Sequence, residues 1–196
     1  MRADLDIIQE WIAPGSRVLD LGCGDGELLA WLRDNKQVAG YGLEIDPDKI
    51  ALCIERGVNV IEQNLDLGLG NFASNSFDVV VMTQSLQALH YPDKVLAEML
   101  RVGKTCIITF PNFGHWRCRL MLGIQGTMPV SSFMPHTWYN TPNIHFCTVK
   151  DFEDLCREKG IRILARDVVG NTNRQPMLSN RWPNLFANTA IYRITR

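Results

Sequence analysis

A chain of 196 residues, 46% hydrophobic and 21% charged, has the composition of an ordinary soluble globular protein and the length of one domain with its own core. No apolar run approaches the ~20 residues that span a bilayer. Residues 1–6 lack the basic stretch and apolar segment of a secretion signal. The net charge of −1 is unevenly spread: from Arg157 onward eight basic residues face two acidic ones, which makes a basic tail of +6 on a body of −7. That tail reads as a solvated face, and the rival reading, a surface for RNA or an acidic protein, lacks any aromatic-plus-basic RNA motif. Six cysteines (Cys23, Cys53, Cys106, Cys118, Cys147, Cys156) are scattered with no C-x-x-C pair. They are expected to be reduced thiols in a cytosolic protein.

In chain order, Leu5, Ile8 and Ile12 mark a short amphipathic helix closed by Pro14-Gly15. A strand is expected over 17–21, running into a glycine turn, then a helix over 27–34. Strands over 38–43 and 58–61 flank a helix over 47–56 that Pro47 opens. A polar loop follows to Ser76. Residues 77–82 form a nearly continuous apolar run, the pattern of a central strand buried on both faces. A helix over 92–102 and a strand over 105–110 complete the alternation, which implies a parallel sheet covered by helices on both faces. The rhythm breaks over 111–146, where six aromatic side chains and four prolines show no strand period and a short helix is expected within 115–122. Thr148-x-x-Asp151 is a capping box for a helix through Lys159, ended by Gly160. Strands are expected over 161–169 and 189–195, joined by a connector over 170–188 too rich in Asn, Pro and Arg for core. The expected architecture is one α/β domain over 1–196, with a mostly parallel seven-stranded sheet and an aromatic-rich insertion at 111–146.

The turn Gly22-x-Gly24-x-Gly26 lies between a strand and a helix, the context in which such glycines admit a ligand close to the backbone. Dinucleotide-binding turns read G-x-G-x-x-G and hold a pyrophosphate at the helix N-terminus; here Glu27 stands where the third glycine would. Asp20, Asp25 and Glu27 would repel a pyrophosphate, at about 4 kcal/mol per like-charge contact at 4 Å. The same acids suit the ammonium and sulfonium of S-adenosylmethionine (SAM). Glu44, at the end of the second strand, is placed to take both ribose hydroxyls, whereas Asp46 is expected to cap the following helix. Asp66 is expected to accept from the adenine amino group, and Leu67 to offer its backbone N–H and an apolar wall. The candidate cofactor site is therefore Asp20, Gly22, Gly24, Glu44, Asp66 and Leu67, for SAM or S-adenosylhomocysteine.

With those residues identified, the chain resembles the class I SAM-dependent methyltransferases (a Rossmann-like fold) and, more narrowly, the MetW family of methionine biosynthesis. The carriers are residues 17–26, Ser85-Leu86-Gln87-Ala88, residues 98–103, residues 110–117 and residues 138–145. The resemblance implies work beside a separate homoserine O-acyltransferase of the α/β-hydrolase type, as a partner or SAM-sensing subunit. The alternative is a methyltransferase acting on a small molecule or RNA.

Acceptor chemistry is thin. Residues 83–85 carry no amino-methylation motif, and Cys106 sits in an apolar strand as a core thiol. His115 and His145 are candidates for the pocket mouth, with packing inside the insertion the stronger reading. The spacing of His115, Cys118, His136, His145 and Cys147 fits no structural zinc pattern, and no metal is expected. Trp116, Trp138 and Tyr139 belong to a substrate lid, a partner surface or extra core, with the partner surface favoured.

Overall fold

The apolar run in the middle of the chain is the spine of the sheet. It forms β4 (Phe77–Thr83), with Val80 and Met82 in one hydrophobic layer and Val79 and Val81 in the other. A strand so placed needs cover on both faces, which is why its sequence is continuous rather than alternating. The computed structural model describes residues 3–170 and 181–196. β4 pairs in parallel with β1 (Arg17–Leu21) on one side and β5 (Gly103–Pro111) on the other. β2 (Ala39–Glu44) and β3 (Asn59–Glu62) continue the parallel sheet beyond β1. At the far edge β7 (Thr189–Thr195) runs antiparallel between β5 and β6 (Arg162–Val169). The order is β3-β2-β1-β4-β5-β7-β6, the mostly parallel seven-stranded sheet expected.

Helices cover both faces. α1 (Ala3–Trp11), α2 (Glu27–Lys36) and α3 (Pro47–Glu55) contribute Leu5, Ile8, Leu28, Leu32 and Cys53 to one layer. α4 (Pro92–Val102) and α6 (Val149–Glu158) contribute Val95, Met99, Phe152 and Cys156 to the other. Their ends follow local chemistry. Lys36 donates to the carbonyls of Gln9 and Ile12, holding the C-terminal end of α1. Asp46 caps α3 by accepting from the Asp48 N–H at 3.0 Å. Thr148 and Asp151 form the reciprocal capping box of α6. No helix of the described residues is long and apolar enough to cross a membrane.

Two features depart from the sequence reading. β5 starts at Gly103, directly after α4, because the strand closes onto β4 there; a Cβ on Gly103 would lie 2.6 Å from Cγ2 of Val80. The connector after β6 is partly structured. Residues 171–180 lie outside those described, but α7 (Pro183–Phe186) follows, and Ala187 and Asn188 are buried. The polar residue Asn112 explains this, since its Nδ2 donates to the carbonyls of Pro183, Asn184 and Ala187. The insertion contains the short helix expected within 115–122, α5 (Trp116–Leu120), which runs into one wide turn at Met121–Gln125. In the described part of the basic tail Arg157 pairs with Asp154 (2.6 Å) and Arg166 with Glu153 (2.7 Å).

Candidate functional site

β1 lies between β2 and β4, so the chain leaves β1 to one side and later returns on the other. A crevice opens at the carboxyl ends of strands where the order reverses in this way. Here it is a cleft of about 830 Å³, lined by the glycine turn, the ends of β2 and β4, and residues 63–66, 83–85 and 88–90. The turn takes its shape from positive φ at Gly22 (+72°), Gly24 (+59°) and Gly26 (+76°). The amides of Gly22 and Cys23 both donate to the Leu43 carbonyl, at 2.8 and 3.1 Å, which ties the turn to β2. A Cβ on Gly22 would meet Oγ of Ser85 at 2.6 Å, whereas one on Gly24 would enter open space. Bare backbone at Gly24 thus faces the cleft.

The acids converge as the sequence suggests. Asp20 is buried at the end of β1. Glu44 is buried too, with Oε2 accepting from the Gly24 N–H (2.8 Å) and Oε1 from those of Ile45 (2.8 Å) and Asp46 (3.1 Å). Three backbone donors hold this carboxylate in one orientation, although a carboxylate has about four acceptor positions. Asp66 accepts from the His90 N–H at 2.9 Å and lies 2.8 Å from His90 Nδ1. Partial burial would raise the Asp66 carboxyl, but the hydrogen bonds from His90 and Tyr91 outweigh it and hold the group below its ordinary value. Asp25 and Glu27 line the same cleft, and Lys49 and His90 are the basic side chains there. The excess of carboxylates fits a ligand with cationic and hydroxyl groups.

Five of the six candidate residues therefore share one cleft: Asp20, Gly22, Gly24, Glu44 and Asp66. Leu67 does not join them. Its side chain is 82% exposed and its N–H donates to the Asn64 carbonyl at 3.2 Å, inside a tight turn over Leu65–Leu67. Leu65 and Asn64 line the cleft instead. The signal for this was present: an Asn side chain can accept from the backbone two residues on and fold a turn, and Asn64 Oδ1 accepts from the Asp66 N–H at 3.0 Å.

The other candidates lie away from the cleft. His115 is buried, caps α5 by accepting from the Arg117 N–H, and packs edge-on against Phe133. Burial, and then the Arg117 charge, lower its pKa. His145 borders a separate cavity of about 140 Å³ beside Phe110 and Phe152. Burial pushes the thiols of Cys106 and Cys147 up to about 12, so neither is a ready nucleophile. Among the described residues no three His, Cys, Asp or Glu side chains gather as a metal site. Trp116, Trp138 and Tyr139 do not line the cleft; the insertion reaches it through Pro142. The amides of Ile144 and His145 donate to the Gln87 carbonyl at 2.9 and 3.0 Å, which fastens the insertion to the cleft rim.

Residues 2–194 match the family model of the methionine biosynthesis protein MetW. The chain belongs to the MetW family. It is 35% identical over 201 residues to the bifunctional methionine biosynthesis protein MetXA/MetW of Rhodopirellula baltica, an alignment covering 97% of this chain and 32% of that protein. The chain thus spans about a third of that relative. It is also 36% identical over 169 residues to the ubiquinone biosynthesis O-methyltransferase of Hahella chejuensis, covering 80% of this chain and 71% of that one. Among solved structures it resembles a SAM-dependent methyltransferase from Mesorhizobium loti (TM-score 0.72, 16% identity, 100% of this chain and 98% of that one). A SAM-dependent methyltransferase from Archaeoglobus fulgidus is similarly close (0.71, 17%, 99% and 92%). The fold of this MetW-family chain is that of the class I SAM-dependent methyltransferases.

Proposed function

We propose that the chain is a SAM-binding subunit that works with a homoserine O-acyltransferase in methionine biosynthesis. The observation that carries the partnership is the relative in which MetXA and MetW are one polypeptide, since fusion places two functions at one address. The MetXA part is read as an acyltransferase of the α/β-hydrolase type. SAM fits the cleft chemically. Asp20 and the acids around the glycine turn would receive its cationic groups, the fixed Glu44 carboxylate its ribose hydroxyls, and Asp66 its adenine amino group. Bound SAM would supply an activated methyl group, but His115, His145 and Cys106 lie away from the cleft, and His90, which lines it, is paired with Asp66. A sensing role suits that arrangement, because SAM is itself made from methionine. S-adenosylhomocysteine would use the same residues.

The test is an acylation assay with the purified acyltransferase, with and without this chain, at several SAM concentrations, alongside co-elution in gel filtration. A complex and a changed rate are expected; separate elution with an unchanged rate would overturn the partnership. For the pocket, calorimetry should show SAM binding that Glu44→Gln weakens at least tenfold, since one amide oxygen replaces two carboxylate oxygens held by three donors. Equal affinity in wild type and variant would remove Glu44 from the site.

A second reading, a SAM-dependent methyltransferase for a small molecule, is favoured by the likeness to the O-methyltransferase of Hahella chejuensis. Release of S-adenosylhomocysteine with a defined acceptor, small molecule or RNA, would establish it in place of the first.

A further inference from the structure

We propose that the Trp138–Tyr139 face of the insertion is the surface on which the acyltransferase partner docks, an inference that rests on the partnership above. Trp138 and Tyr139 are 74% and 72% exposed and pack edge to face at 5.6 Å. A shallow depression beside them is lined by Met128, Pro129, Trp138 and Phe146, and Phe146 in turn packs on Phe113 at 4.6 Å. The apolar surface is therefore contiguous and anchored to the body of the protein. Large exposed aromatics backed by packed side chains are the composition of an interface centre.

Charge narrows the occupant. From residue 111 to residue 148 there is no Asp or Glu, although acids make up 21 of the 196 residues, and the formal charges there are Arg117 and Arg119. The segment that builds this face is apolar, carries a weak positive charge and brings no carboxylate of its own, which suits an apolar partner face rimmed by acids. Two arginines in 38 residues are too few for a phosphate-tracking surface. The edge-to-face aromatic pair also offers no parallel platform for stacked bases. Both points favour a protein over RNA. A partner of this kind is the polypeptide fused to the MetW portion of the Rhodopirellula baltica relative, of which this chain matches about a third.

The test uses the full chain and the intact acyltransferase in a binding titration. Trp138→Ala/Tyr139→Ala should weaken the complex about thirtyfold or more while leaving SAM binding and the circular dichroism spectrum unchanged. Ile54→Ala, an exposed apolar residue on α3, should leave the affinity as it is. Tyr139→Glu should weaken binding more than Tyr139→Lys, as an acidic partner rim requires. If wild type binds and the double variant binds equally, the docking surface is wrong and the partnership stands. If wild type does not bind the acyltransferase at all, both fall. Binding of single-stranded RNA near physiological salt, lost in the double variant, together with no acyltransferase binding, would overturn the proposal in favour of RNA.

Discussion

Gly22 carries two separate demands. Its φ of +72° lies where a Cβ is strained, and the space a Cβ would occupy is filled by Oγ of Ser85. The conformational strain alone is about 1–3 kcal/mol, and the contact adds to it. Gly22→Ala is therefore expected to lower stability in urea unfolding by more than that lower bound. In a Ser85→Ala background the loss should shrink, because the Oγ is gone while the strain remains. An equal loss in both backgrounds would show that the contact contributes nothing. The same residue-scale reasoning explains why Asp66 was legible and Leu67 was not. A carboxylate in the loop after β3 has few places to go other than the cleft or solvent. An amide direction depends on the turn, and Asn64 folds residues 65–67 so that the Leu67 N–H is already taken.

At the scale of elements, Asp78 joins three strands. It accepts from the backbone N–H of Arg17 on β1 at 2.9 Å and from Lys104 on β5 at 2.7 Å. The Arg17 amide, then Lys104, hold its carboxyl below the ordinary value of 3.8, against a smaller effect of burial. A carboxyl with a depressed native pKa stabilises the fold above its unfolded value and loses that contribution as pH falls through the native value. Asp78→Asn should thus be less stable than wild type near neutral pH, by about 1 kcal/mol for a partly exposed pair. The two proteins should converge as pH drops below 3.8, followed by thermal unfolding at stepped pH; a gap that persists there would place the effect elsewhere. The helices and strands themselves were readable because period and caps agree, as at Pro47, Thr148 and the apolar run of β4. Short elements such as α7 were not, since four residues carry no period and their place depends on Asn112 across the fold.

For the molecule as a whole, the two hydrophobic layers share one sheet, and every strand from β3 to β6 is bonded to its neighbour. We therefore expect residues 1–196 to unfold as one unit. The five tryptophans sample α1, α2, α5, the rest of the insertion and the residue that precedes α7. Urea transitions followed by their fluorescence and by far-UV circular dichroism should coincide. A separate early fluorescence transition would show the insertion unfolding alone.

The sequence by itself determined the strand–helix alternation, the glycine turn and the acids around it, because these depend on side-chain period, positive φ and charge, all local properties. It also carried the family blocks in the insertion. Only the tertiary structure decided which acids share a cleft, that β7 runs against its neighbours, and that His115 is packed inside while Trp138 and Tyr139 face outward. The reason is physical. An irregular segment has no period that ties residue number to a face, so the direction of each side chain is set by distant partners such as Gln87 and Asn112, which only the fold brings near.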